Sequence, residues 1–160
     1  MSALGPLATI GAVAIPSPQV IRFCVPGAVR STQSGSVIRP GGGKRAMPLR
    51  RNPQWTQACK LAAMAVRPPK PLTGYLSMGI AILVKPIQDR KRMGAFPTSG
   101  VDALNALKGP LDIWQGVLYR DDRQVIRFHR LEKIWAPAGV EDGLYVELWE
   151  IAKAGDVFRD

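Results

Sequence analysis

Apolar and polar positions along this chain fall into short blocks with a readable order. Val20 to Val25 (VIRFCV) is β-branched and aromatic and stops at Pro26-Gly27, which predicts a first strand. Residues 28 to 52 show no apolar period; they predict a loop-like arm with a brief strand near Ser36 to Ile38. Asn52-Pro53 is a helix start, with Asn as N-cap and Pro in the first helical position. The helix predicted from there runs to about Val66 and stops before Pro68-Pro69. Trp55, Cys59, Ala62 and Val66 share its inward side. Thr73 to Val84 (TGYLSMGIAILV) is mostly apolar in both alternating sets, as suits a central strand covered by a helix. Tyr75, Ser77, Gly79 and Ala81 share one face, and Leu76, Met78, Ile80 and Ile82 the other.

A second helix is expected from near Asp102. At about 100° per residue, Asp102, Asn105, Lys108 and Asp112 fall within a sector of roughly 120°, opposite Leu104, Leu107, Leu111 and Trp114. Gly109-Pro110 either kinks this helix or breaks it and restarts it with Pro110 at the new first position. Val125 to Trp135 and Leu144 to Ile151 predict two last strands, and APAGVEDG between them favours a hairpin. The order β, loop, α, β, α, β, β predicts an α+β fold with a single mixed β-sheet and two main helices packed mainly on one face. Residues 1–18 are expected to form a flexible extension, 19–153 one domain and 154–160 a tail.

Charge changes this picture from a generic domain to a polyanion binder. The 160 residues carry a net charge of +10. No Asp or Glu occurs before Asp89, while eleven Lys or Arg do. A solubility device interleaves both signs; an acid-free half makes a broad positive field that attracts nucleic acid. Arg30, Arg39, Lys44 and Arg45, the loop triplet Arg90, Lys91 and Arg92, and Arg120 are the expected DNA contacts. GGGK in the arm lacks the spacing of a phosphate-binding loop. No apolar run reaches the roughly 18 residues a membrane span needs, and the start has no Lys or Arg ahead of its apolar stretch, unlike a secretory signal. Cys24 and Cys59, without a CxxC spacing, suit a reducing cytoplasm.

Against that background the acids from Asp102 to Asp122 stand out. Each has an ordinary explanation, at a helix start or in a turn. A carboxylate on a DNA-binding surface repels phosphate, however, unless it holds a metal that bridges to phosphate oxygens. Such a metal can activate water or steady a leaving oxygen, and a nearby Lys can neutralise charge on the scissile phosphate. The sole histidine, His129, lies mid-strand on the same face as Val125, Arg127 and Leu131, which points to a structural role. Phe96 suits a loop anchor or a wedge into opened DNA.

The span from Val101 to Val125 resembles the RusA family of Holliday junction resolvases, found in bacteria and their phages. The family pattern is D-x-D-N-x-x-K-x-x-x-D, followed by G-x-x-x-x-D-D-x-Q. Asp102, Asn105, Lys108 and Asp112 match its first part; Gly116, Asp121, Asp122 and Gln124 match its second. The resemblance extends more loosely over residues 20 to 152. It implies a homodimer that nicks four-way DNA junctions with Mg²⁺ or Mn²⁺ in recombination and repair. The implied catalytic residues are Asp102, Lys108 and Asp122; the metal carboxylates are Asp102, Asp122 and Asp121; Asn105, Asp112 and Gln124 support them. Trp114, Trp135 and Trp149 are expected in the core or at the dimer contact. Leu104 departs from the pattern, standing where the family has its second Asp. Two expectations follow: one metal held by the remaining carboxylates, or a junction-binding protein that cuts weakly or not at all. By helical position Leu104 could equally pack with Leu107 and Leu111.

Overall fold

The structure, a computed structural model, describes residues 19–30, 37–38, 44–45, 52–87, 94–98 and 100–151. The expected N-terminal extension and C-terminal tail, together with Arg39 and the triplet Arg90, Lys91 and Arg92, lie outside them. Six strands and two helices follow in the order β1 (Ile21–Pro26), β2 (Val37–Ile38), β3 (Lys44–Arg45), α1 (Pro53–Ala65), β4 (Tyr75–Val84), α2 (Ala103–Trp114), β5 (Val125–Trp135) and β6 (Gly143–Ile151). A 3₁₀ turn, Asp122–Gln124, precedes β5. The main sheet has the order β1-β6-β4-β5, with only the β4–β5 pair parallel. This is the α+β, single mixed-sheet architecture expected. The arm adds a small antiparallel pair, β2 with β3, beyond the brief strand expected there.

The expected β5–β6 hairpin does not form. β4 lies between the two strands, parallel to β5 and antiparallel to β6. Burial decides this placement. Leu76 to Leu83 are buried without a break, and a strand apolar on both faces needs neighbours on both edges as well as cover. β5 alternates exposed and half-buried positions along much of its length and takes the sheet edge.

The helices cover one face. Trp55, Cys59 and Ala63 of α1 and Ala106, Leu107 and Trp114 of α2 join Leu76, Met78, Ile80 and Ile82 in the main core. Trp114 is fully buried. Its indole N–H donates to the Cys59 carbonyl at 3.2 Å, and its ring meets Phe23 edge-on with centroids 5.1 Å apart. Burial pushes the Cys59 thiol up to about 12, so it remains a neutral core group.

The other face carries small residues on β4 and a histidine laid against them. β5 has register shifts between Leu76 and Ser77 and between Met78 and Gly79, where Ile126 and His129 are the extra residues. These shifts separate positions that strict alternation put together. Val125 and Leu131 pair with Leu76 and Ile80 on the core side, whereas Arg127 pairs with Ser77 on the other. His129 bonds Ser77 Oγ through Nδ1 at 2.9 Å, stacks on Trp149 at 4.2 Å, and has Glu147 3.6 Å from Nε2. Burial holds its imidazole below the usual histidine range. The ring fits because residue 79 is glycine: a Cβ there would sit 2.3 Å from His129 Nε2. Gly79→Ala is expected to destabilise the fold by about 1–3 kcal/mol, and His129→Ala in the same chain to recover most of that loss. Urea unfolding of the two variants checks it; a single variant as stable as the parent would show that the imidazole moves aside freely.

Candidate functional site

α2 is one element from Ala103 to Trp114 with Pro110 inside it, so it neither breaks nor restarts at Gly109-Pro110. Pro110 supplies no N–H for its turn, and its ring is buried against the core instead. Asp102 is the N-cap. Its Oδ1 accepts the Asn105 backbone N–H at 2.8 Å, and its Oδ2 accepts the Asn105 side-chain amide. Those bonds, the backbone one foremost, hold the Asp102 carboxyl below its usual range, and Lys108 acts in the same direction. Asn105 thus has a physical task in the motif: it fixes the cap. Lys108 and Asp112 are exposed farther along the same stripe.

Leu104 does not pack with Leu107 and Leu111. It is 67% exposed, whereas Leu107 is buried. Four residues of helix turn through about 400°, so Leu104 lies only about 40° from Lys108. The core side of α2 centres on Ala106, Leu107, Pro110 and Trp114, which leaves Leu104 within the polar arc.

The second cluster is a built turn. Asp121 caps the 3₁₀ turn, accepting the Arg123 N–H at 2.9 Å while Gln124 Oε1 accepts the Asp121 N–H at 2.8 Å. That is a capping box. The Gln124 amide then donates to the carbonyls of Leu72 at 3.1 Å and Gly74 at 2.8 Å. Segment 72–74 is tied from the other side too. Leu72 N–H donates to Leu118 O, Arg120 N–H donates to Leu72 O, and the Thr73 and Gly74 N–H groups donate to Glu150 Oε1. A side chain of β6 therefore anchors the strip that anchors the Asp121–Asp122 turn. Arg123 binds both Asp121 oxygens and keeps that carboxyl far below its normal range. Arg120 is exposed beside it, and Arg30 is exposed after β1. Of Lys44 and Arg45 the structure gives the β3 backbone.

Asp102 caps the start of α2, and Asp122 opens the 3₁₀ turn after it. Tyr119 is buried with its hydroxyl bonded to the Leu111 carbonyl, in the last turn. Burial first, then the charges of Asp122 and Asp112, raise the Tyr119 hydroxyl. Ten residues of helix, about 15 Å, separate Asp112 from Asp102. Ionised carboxylates are suitable donors for Mg²⁺ or Mn²⁺. In this arrangement, though, no three His, Cys, Asp or Glu side chains gather to hold a metal among the described residues. Asp102 is bound by Asn105, Asp121 is bound by Arg123, and Leu104 offers no oxygen. The described residues of one chain do not fit a closed metal site as they stand.

A small α+β protein with a basic first half, an exposed Asp/Asn/Lys helix stripe and a clamped Asp-Asp turn belongs to the class of nucleic-acid-processing proteins. The chain matches the family Endodeoxyribonuclease RusA over residues 26–147. It is a member of the RusA family, whose activity is that of an endodeoxyribonuclease. The curated proteins contain no match. No helix among the described residues is long and apolar enough to cross a membrane.

Sequence reasoning placed Gln124 beside the site but missed its clamp, because Leu72 and Gly74 are distant in the chain. Gln124→Ala removes three hydrogen bonds and is expected to cost about 2–3 kcal/mol; chemical denaturation measures it. The acidic limb of stability tests the caps. The Asp102 and Asp121 carboxyls are lowered on folding, so their contribution is complete above the ordinary Asp value of about 3.9 and is lost as pH falls through the folded values. Melting temperature should drop below that pH in the parent and drop less in Asp121→Asn.

Proposed function

We propose that this protein is a structure-selective endonuclease that binds four-way DNA junctions and nicks their strands in recombination or repair. The observation that supports the reading is that the motif's own residues fix the backbone around its carboxylates. Asn105 fixes Asp102, Gln124 fixes the Asp121–Asp122 turn, and Lys108 is exposed on the helix that Asp102 caps. In this proposal Lys108 faces the scissile phosphate and offsets its developing charge. Asp102 and Asp122 are the catalytic carboxylates, and Arg30, Arg120 and the basic arm and loop hold the DNA. Two symmetric nicks require two sites, so the chain acts as a homodimer. Mg²⁺ or Mn²⁺ is the ion to supply; the described carboxylates form no closed site for it, so water and DNA phosphate would have to complete its shell. A cytoplasmic setting belongs to the same proposal.

A second reading has a specific observation behind it. Leu104 is exposed on the same arc of α2 as Lys108, and among the described residues no group of carboxylates makes up for the missing one. On that reading the protein binds junctions and cuts them weakly or not at all.

A labelled four-way junction with Mg²⁺ or Mn²⁺ separates the two. The nuclease reading expects paired symmetric nicks that fall at least 100-fold in Asp122→Asn, with junction affinity unchanged or higher. Tight binding without nicks at any protein concentration would falsify it. A Leu104→Asp variant that gains cleavage would favour the second reading.

A further inference from the structure

The strip of backbone before β4 is held by a carboxylate that the motif does not include. Glu150 is half-buried on β6, and its Oε1 accepts the Thr73 N–H at 3.1 Å and the Gly74 N–H at 2.8 Å. It lies past the matched residues 26–147. In the sheet Glu150 pairs with Leu76, and Leu76 pairs on its other edge with Val125. One row thus crosses three strands, from Glu150 to the residue that directly follows the 3₁₀ turn. Gly74 joins the two ends of that row. Its N–H donates to Glu150, and its carbonyl accepts the Gln124 amide that also caps the Asp121–Asp122 turn.

Space at residue 74 is the second observation. Gly74 has no positive φ, so its backbone conformation does not call for glycine. The close approach of Glu150 does. A Cβ on residue 74 would lie 3.1 Å from Glu150 Oε1 and 3.2 Å from its carboxyl carbon. Without that Cβ, one carboxylate oxygen closes on two successive N–H groups. Charge-assisted bonds of this kind are roughly twice as strong as neutral ones. Gln124 binds the strip from the other side through neutral bonds alone.

We propose that Glu150 is a positioning residue for Asp122. Its carboxylate sets residues 72–74, the strip sets Gln124, and Gln124 sets the turn from which Asp122 projects. A role in cutting DNA rests on the reading of Asp122 as a catalytic carboxylate; the control of the turn does not. Reacting groups tolerate little misplacement, so a side chain that never meets the substrate can still govern the rate.

The test compares the full chain with Glu150→Ala, Glu150→Gln and Gly74→Ala on a labelled four-way junction with Mg²⁺. Glu150→Ala is expected to lower the nicking rate at saturating protein about tenfold, with junction affinity within about twofold of the parent. Glu150→Gln keeps an oxygen that can accept both N–H groups and should recover most of the rate. Gly74→Ala displaces the carboxylate, so it should slow the parent and add little to Glu150→Ala. Backbone amide spectra report without catalysis: the Asp121, Asp122 and Arg123 signals should shift in Glu150→Ala and return toward their places in Glu150→Gln. A folded Glu150→Ala chain that nicks like the parent overturns the proposal, as does one whose Asp121, Asp122 and Arg123 signals stay fixed. Should Glu150→Ala fail to fold, the same two results in Gly74→Ala overturn it equally. A parent that binds junctions and never nicks sinks the proposed activity instead, and the amide signals then decide whether Glu150 sets the turn.

Discussion

Burial of both faces of β4 is the constraint on which the rest of the molecule depends. A strand buried without a break from Leu76 to Leu83, with Ser77 its one buried polar side chain, cannot sit at an edge or face water. It takes β5 on one side and β6 on the other, and two helices on one face. The opposite face is closed by a different device, small β4 residues that admit His129 and its stacking partner Trp149. Because β5 and β6 are held apart by β4, the chain must cross the sheet to connect them. The segment on the other side of β5, which carries the acidic turn, is brought to the start of β4 for the same reason.

That geometry gives the turn its rigidity. Val125 pairs with Leu76, so the residues just before each strand lie side by side. Gln124 exploits this by capping its own turn with one end of its amide and binding Leu72 and Gly74 with the other. Glu150 on β6 holds the same strip. The Asp121–Asp122 backbone is thus fixed by three separate segments rather than by its own short helix, and a 3₁₀ turn of three residues has little stability of its own.

Much of this was legible in the chain because it is local. The α1 start needed only Asn-Pro, and the strands needed only period and punctuation. What failed was non-local or cancelled a strict period. The β5–β6 hairpin was favoured by a turn-rich connection, but strand order is decided by which strand most needs cover. Strict alternation puts His129 on the face of Val125, Arg127 and Leu131; two extra residues in β5 break it. Leu104 falls by angle at the border of the apolar arc, about 40° from Lys108, where spacing alone does not decide exposure. The stripe of carboxylates was legible, but not the clamp that ties the Asp121–Asp122 turn to Leu72 and Gly74. The pairing of β4 with β5 carries that information, and no spacing rule contains it.

Residues in such a motif divide into those that shape the backbone and those that meet the phosphate, and the division says what a substitution can do. Asn105 and Gln124 belong to the first group, since each satisfies backbone donors or acceptors that would otherwise lack partners. Leu104 belongs to neither in this chain. It is exposed, caps nothing and contributes nothing to the core, so the fold places no demand on that position. A neutral side chain there, rather than a carboxylate, leaves the field around Lys108 more positive and removes a repulsion toward phosphate. It also removes an oxygen donor from the stripe. On the proposed nuclease reading, affinity for DNA and capacity to cut it would respond in opposite directions to one residue, and the scaffold is indifferent to both.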